Sequence, residues 1–193
     1  ALPEGLTICS LTEAADRCPA LLERYYHRAA AEGADGLAAL NTILAQDGLL
    51  VHAAAGVHIA DPVQIVQVMA ATRPLMANRR LLIILEEGAQ ARLLVCDHAT
   101  AGSTYVSTQV TEAFIGEGAV FDLYELEETN TQTTRINNLY MKQEANSNVQ
   151  LSTISLTGGH TRNTMEIALD GPGAELNLSG MAVADGEQHV DNH

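Results

Sequence analysis

Four segments decide how this chain is read: EEGAQARLLV (residues 86–95), GEGAVFDLYE (116–125), NSNVQLSTIS (146–155) and GPGAELNLSG (171–180). Superimposed, they put Gly88, Gly118, Asn148 and Gly173 in one column, 30, 30 and 25 residues apart. All four are Gly or Asn, the residues that tolerate positive φ. Side-chain parity follows the column. Ala89, Ala119, Val149 and Ala174 lie one position after the turn; Ala91, Phe121, Leu151 and Leu176 follow two further on; then come Leu93, Leu123, Thr153 and Leu178. The positions between are more polar: Gln90, Val120, Gln150 and Glu175, then Arg92, Asp122, Ser152 and Asn177. One face points in and one out, four times over. A second strand precedes each turn, as at 105–111 and 165–169. Such a repeat predicts a parallel solenoid with about two strands per rung. An antiparallel sandwich has no need for turn residues and inward residues to recur at equivalent places.

Outward from the repeats, residues 1–48 read as a helical N-terminal part with a short leading strand, and 49–193 as the parallel β-helix. Ser10-Leu11-Thr12-Glu13 has the form of a capping box. Pro19 suits the first turn of a second helix, where its missing N–H costs nothing. That helix is expected to run to about Ala31 and end at Gly33. Asp35 can cap a third helix with Leu37, Leu40, Ile43 and Leu44 on one face, stopped at Asp47-Gly48. The run 81–85, Leu-Leu-Ile-Ile-Leu, has the length of a buried strand. A solenoid has open ends that must be covered. The helical part is placed to cover one. The other stops inside a patterned segment, so the chain reads as a piece of a longer protein, its solenoid truncated and its exposed rung a possible site of self-association.

The 24 acidic and 10 basic side chains give a formal charge of −14. That argues against nucleic acid, which is bound by replacing counterions with Lys and Arg, and against anionic membrane. Three cysteines without regular spacing (Cys9, Cys18 and Cys96) are no disulfide framework and point to a reducing cytoplasm.

Candidate chemistry is sparse. His189, Asp191 and His193 alternate in GEQHVDNH and would share one face of a strand, with Glu187 in the same parity. They are the weak metal-ligand candidates of the chain, set against a polar outer face. Cys96 and His98 point together on a strand, with no oxyanion partner visible. His52 and His58 flank the turn at Gly56. His160 sits at a turn after Gly158-Gly159. Glu86-Glu87, Glu117 and the 125–128 run could supply the paired carboxylates of a β-helix carbohydrate-active enzyme, against a plainer role in solubility and edge protection. There is no P-loop and no dinucleotide fingerprint. No catalytic residue and no cofactor-binding residue is assigned.

Several stretches carry a family likeness: LNTILAQDGLLVHAAAGVHIADPVQIV, RRLLIILEEGAQARLLV, NLYMKQEANSNVQLSTISLTGGHTRNTMEIALDGPGAELNLSGM and the closing GEQHVDNH. From about Leu37 onward the chain resembles the SufB/SufD family of SUF iron–sulfur cluster assembly scaffolds. LTGGHTRN and GEQHVDNH look like the SufD branch. The resemblance implies a flattened right-handed parallel β-helix and a non-catalytic subunit. It implies pairing with a SufB-like paralogue through the β-helix, and a SufC-like ATPase bound through a C-terminal region beyond His193. The iron–sulfur cluster and reduced flavin are implied for the whole complex, with none bound by this chain.

Overall fold

The computed structural model describes residues 2–30, 36–100, 102 and 104–193. Twelve strands form two sheets. The first contains β1 (Leu6–Ser10), β2 (Leu49–Ala53), β4 (Leu75–Leu85), β6 (Tyr105–Ile115), β8 (Thr133–Gln143), β10 (His160–Leu169) and β12 (His189–Asn192), adjacent in that order. The second contains β3 (Val63–Met69), β5 (Gln90–Ala99), β7 (Val120–Glu128), β9 (Asn148–Thr157) and β11 (Glu175–Ala182). From β2 onward consecutive strands alternate between sheets, and every pairing is parallel except β1 with β2. The molecule is therefore a parallel β-solenoid, as the repeats predict.

One register differs from the sequence alignment. Val120 pairs with Asn148, so Gly118 stands beside Asn146 and not Asn148. The turns confirm it by a repeated backbone bond to the next rung: Gly56 N to Glu87 O at 2.8 Å, Gly88 N to Glu117 O at 2.8 Å, Gly118 N to Ala145 O at 2.9 Å and Asn146 N to Pro172 O at 3.0 Å. Asn146 has φ +56°, in line with +66° at Gly88 and Gly118 and +73° at Gly173. Gly56, φ +69°, adds a rung ahead of the four. A two-residue slip leaves every side chain on its own face, because the strand period is two. Parity alone could not detect it. Phe121 in fact pairs with Val149, and Leu123 with Leu151.

Where rungs meet at a turn, backbones crowd. A Cβ built on Gly116 would lie 2.8 Å from both Glu86 C and Glu87 N. Backbone cannot yield as a side-chain tip can, so Gly116→Ala is expected to cost roughly 1–3 kcal/mol, read as a lower urea midpoint at unchanged m-value. Gly48 is needed for a similar reason. Its Cβ would lie 2.5 Å from Arg80 O, so close approach explains this glycine, which the sequence alone marks as a helix stop.

The apolar core lies between the sheets, from Leu6 and Val51 through Ile83, Phe121 and Leu123 to Leu151. The 81–85 run is buried on both faces. Leu81, Ile83 and Leu85 point inward, while Leu82 and Ile84 form a second cluster with Leu11, Ala14 and the residues of α1 (Leu11–Arg17) and α2 (Pro19–Tyr25). The helices thus cover the outer face of the first sheet and not an end of the solenoid. It is β1 that covers that sheet's first edge, by turning antiparallel against β2.

Local expectations are met in part. Ser10 caps α1, its hydroxyl accepting from Glu13 N at 3.0 Å. The reciprocal half of the box is replaced, since the Glu13 carboxylate takes Arg17 at 2.6 Å. Pro19 opens α2 as predicted, but the helix ends at Tyr25, with His27 at φ +56°; Gly33 and Asp35 lie outside the described residues. In α3 (Gly36–Leu44) the buried residues are Ala38 and Asn41. Leu40, Ile43 and Leu44 are exposed, Ile43 at 78%. Asn41 Nδ2 donates to Thr108 Oγ1 at 2.8 Å and to Arg79 O at 3.1 Å. Small Ala38 and these bonds bring the helix close to strand backbone, which a leucine face could not satisfy.

Candidate functional site: an ionic column inside the solenoid

Inward positions are apolar near the Gly88–Gly118 turns and polar in the other half of the interior. There, six side chains from six strands form a continuous chain. Arg79 of β4 donates through Nη1 to Gln67 Oε1 of β3. It grips Asp97 of β5 with two bonds, Nη1 to Oδ1 at 2.5 Å and Nη2 to Oδ2 at 3.1 Å. Arg135 of β8 donates Nε to the same Oδ2 at 2.6 Å, and Nη1 to Asn163 Oδ1 of β10 at 2.7 Å. Asn163 Nδ2 donates to Asn192 Oδ1 of β12 at 2.9 Å. Two further carboxylates lie alongside. Glu125 accepts from Asn137 Nδ2 at 3.1 and 3.3 Å. Glu127 accepts from Thr161 Oγ1 at 2.7 Å, Ser155 Oγ at 3.1 Å and Thr129 Oγ1 at 3.2 Å.

The electrostatics differ residue by residue. Burial opposes the charge of Asp97, yet Arg135 and then Arg79 outweigh it and hold the carboxyl well below the usual carboxylate range. Burial also opposes the charge of Arg135, and Asp97, Glu127 and Glu125 keep it protonated. Glu125 goes the other way. Burial dominates, Arg135 and Asn137 compensate only in part, and its pKa is raised. As pH rises past the ordinary value of 4.5, the unfolded Glu125 ionises before the folded one, so the native state loses stability until the folded pKa is passed. Glu125→Gln does not titrate. It is expected to stabilise at neutral pH by on the order of 1 kcal/mol, with the gain growing from pH 4.5 upward in urea melts.

These groups are spent on one another. A carboxylate sealed between sheets cannot meet a substrate. The arrangement fixes how rungs stack. The signal for it was present in the sequence, because Asp97, Glu125 and Glu127 continue the inward parity beyond Leu93 and Leu123. The aligned inward columns stopped at Leu93 and Leu123, one inward position short of Glu125 and two short of Asp97 and Glu127. Arg79 and Arg135 carried no comparable signal.

The residues singled out from sequence fall elsewhere. Cys96 is buried on the outer face of the second sheet, accepting from Gln64 Nε2 at 3.4 Å, and His98 beside it pairs with Glu128 at 3.2 Å. His52 Nε2 lies 3.0 Å from Glu86 Oε1, and Ala55 N donates to Glu86 Oε2 at 3.0 Å. Glu125 and Glu127 face the interior, Glu86 and Glu128 each lie beside a histidine, and Glu87 and Glu117 are exposed at turns. His189 and Asp191 share the outer face at the edge of the first sheet, whereas His193 follows β12 and lines the groove between the sheets; four residues separate the two histidines by about 13 Å. Asp191 is held by Arg162 at 3.2 Å. Among the described residues no group of three or more His, Cys, Asp or Glu is arranged around a metal position.

Fold and interior together define a two-sheet parallel β-solenoid with a core half apolar and half ionic. Residues 67–193 match the family described as SUF system FeS cluster assembly, SufBD core domain, and residues 1–65 match the SufBD protein N-terminal region. The chain belongs to the SufB/SufD family, and with it to SUF iron–sulfur cluster assembly and its multi-subunit complex. The family is generally a non-catalytic assembly component. No curated protein matches the chain. Among the described residues no helix is long and apolar enough to cross a membrane.

Proposed function

We propose that this chain is a non-catalytic scaffold subunit of the SufD branch. It pairs through its solenoid with a SufB-like paralogue and, in full-length form, engages a SufC-like ATPase. The observation that carries this reading is the match of both family regions along a chain whose buried charges are consumed internally. Cys9, Cys18 and Cys96 are free; Cys9 and Cys18 share the cluster under the helices, and Cys96 lies on the outer face of the second sheet. The iron–sulfur cluster and reduced flavin are assigned to the assembled complex on the family match alone. The free thiols also support a reducing cytoplasm. Size-exclusion and pull-down of the full-length protein with a SufB-like partner test the reading; a full-length protein that never associates with one sinks it.

The described chain also leaves β11 and β12 as sheet edges, with an apolar groove of about 510 Å³ between them, lined by Met165, Ile167, Leu176 and Leu178 among others. Unpaired strand edges beside apolar surface favour association. The 193-residue polypeptide is expected to show concentration-dependent light scattering, reduced by Leu178→Asp. A monodisperse monomer at all concentrations would reject self-association.

A further inference from the structure

His189 lacks partners along its own strand, but the stacking supplies one. β12 pairs in parallel register with β10, and His189 stands directly opposite His160. Both side chains are exposed on the outer face of the first sheet. Their ring centroids are 6.2 Å apart and the rings are tilted by 45°. The two residues are 29 positions apart in sequence, so only the rung repeat brings them together.

We infer that His160 and His189 form a two-imidazole site for a divalent transition-metal ion such as Ni²⁺, Cu²⁺ or Zn²⁺, with water in the remaining positions. Metal–nitrogen bonds of about 2.0–2.1 Å, with each nitrogen about an ångström from its centroid, put two rings on one ion roughly 5 to 6.5 Å apart. The observed 6.2 Å lies at the top of that span, which only near-opposite nitrogens reach, so a tetrahedral or cis pair closes the rings by about 1 Å. The rings are not stacked face to face, so rotation about the side-chain bonds turns a nitrogen of each toward a common point without moving backbone. Imidazole donors select these borderline metals over Mg²⁺ or Ca²⁺, which prefer oxygen. Asp191, two residues along the strand from His189, is engaged by Arg162, so the site has two protein donors and stays open. A bound ion would tie rung β10 to rung β12.

Titration of tag-free protein with NiCl₂ or ZnCl₂ by calorimetry tests this. One saturable site per chain is expected. His160→Gln and His189→Gln should each weaken it by on the order of tenfold or more, since even residues that only support a ligand are worth roughly 10–100-fold. Asp191→Asn and His193→Gln should leave affinity unchanged. Circular dichroism confirms that each variant remains folded. The assignment is overturned by the absence of saturable binding, by full affinity in His160→Gln, or by a site lost in His193→Gln or Asp191→Asn while His160→Gln retains it. That last pattern would return the metal to the single strand.

Discussion

Asp97→Ala is expected to destabilise the protein by about 3–5 kcal/mol, because it leaves the buried guanidinium of Arg135 and the part-buried one of Arg79 without their shared counter-ion. Arg79 and Arg135 both aim at this one carboxylate, and Arg135 is 5% exposed. The deficit has a definite pH dependence. The folded Asp97 carboxyl is held below its unfolded value of 3.8. Its contribution is therefore fully present above that value and is lost as pH falls through the folded pKa. The gap between wild type and Asp97→Ala should stay constant from neutral pH to about pH 4 and then narrow. Urea unfolding across that range measures it. A gap that widened in acid would contradict the assignment of the charge. The contrast with Glu125→Gln is informative, because the two carboxylates share an interior and have opposite shifts.

A loss of similar size, about 3–5 kcal/mol, is expected from Glu112→Ala on the opposite face of the sheet. The Glu112 carboxylate accepts from His27 N at 2.8 Å, Ala29 N and Ala30 N at 3.0 Å, and Arg80 Nη2 at 2.9 Å. Both it and Arg80 are 2% exposed. Arg80 lies 4.9 Å from the ring of Tyr26, so the ion pair and the aromatic contact share one side chain. Removing the carboxylate strands a buried cation and three backbone donors together. The loss should appear first as faster hydrogen exchange through residues 26–30 and α3, before global unfolding. Replacing both partners, Glu112→Leu with Arg80→Met, should recover part of the stability, since an apolar pair carries no desolvation cost. Equal loss in the single and double variants would show that the ion pair is not what docks the segment.

Much of the architecture is visible in residue pattern. Turn glycines at near-constant spacing and inward Ala91, Phe121, Leu151 and Leu176 announce stacked strands without any contact information. Ser10 and Pro19 mark helix starts because caps act locally. The ionic column was partly legible, in the acids at inward parity, but parity cannot say that an arginine from β8 reaches an aspartate on β5, 38 residues earlier in the chain. α3 misled for a related reason. Its leucines look like a core face until Asn41 is seen to bond strand backbone.

The closing His189-Val190-Asp191-Asn192-His193 separates the two kinds of knowledge. Its alternation says that His189 and Asp191 share a face, because side-chain direction in a strand depends only on neighbouring residues. It cannot say which face of which sheet, or what stands opposite. Register supplied that: His160 beside His189, Arg162 on Asp191, and Asn192 turned inward to end the polar column. Period and parity are properties of local backbone geometry and are written in one segment. Partners across rungs depend on loop lengths and stacking summed over the chain, and a two-residue difference at one turn, as at Asn146, changes them while leaving the local pattern intact.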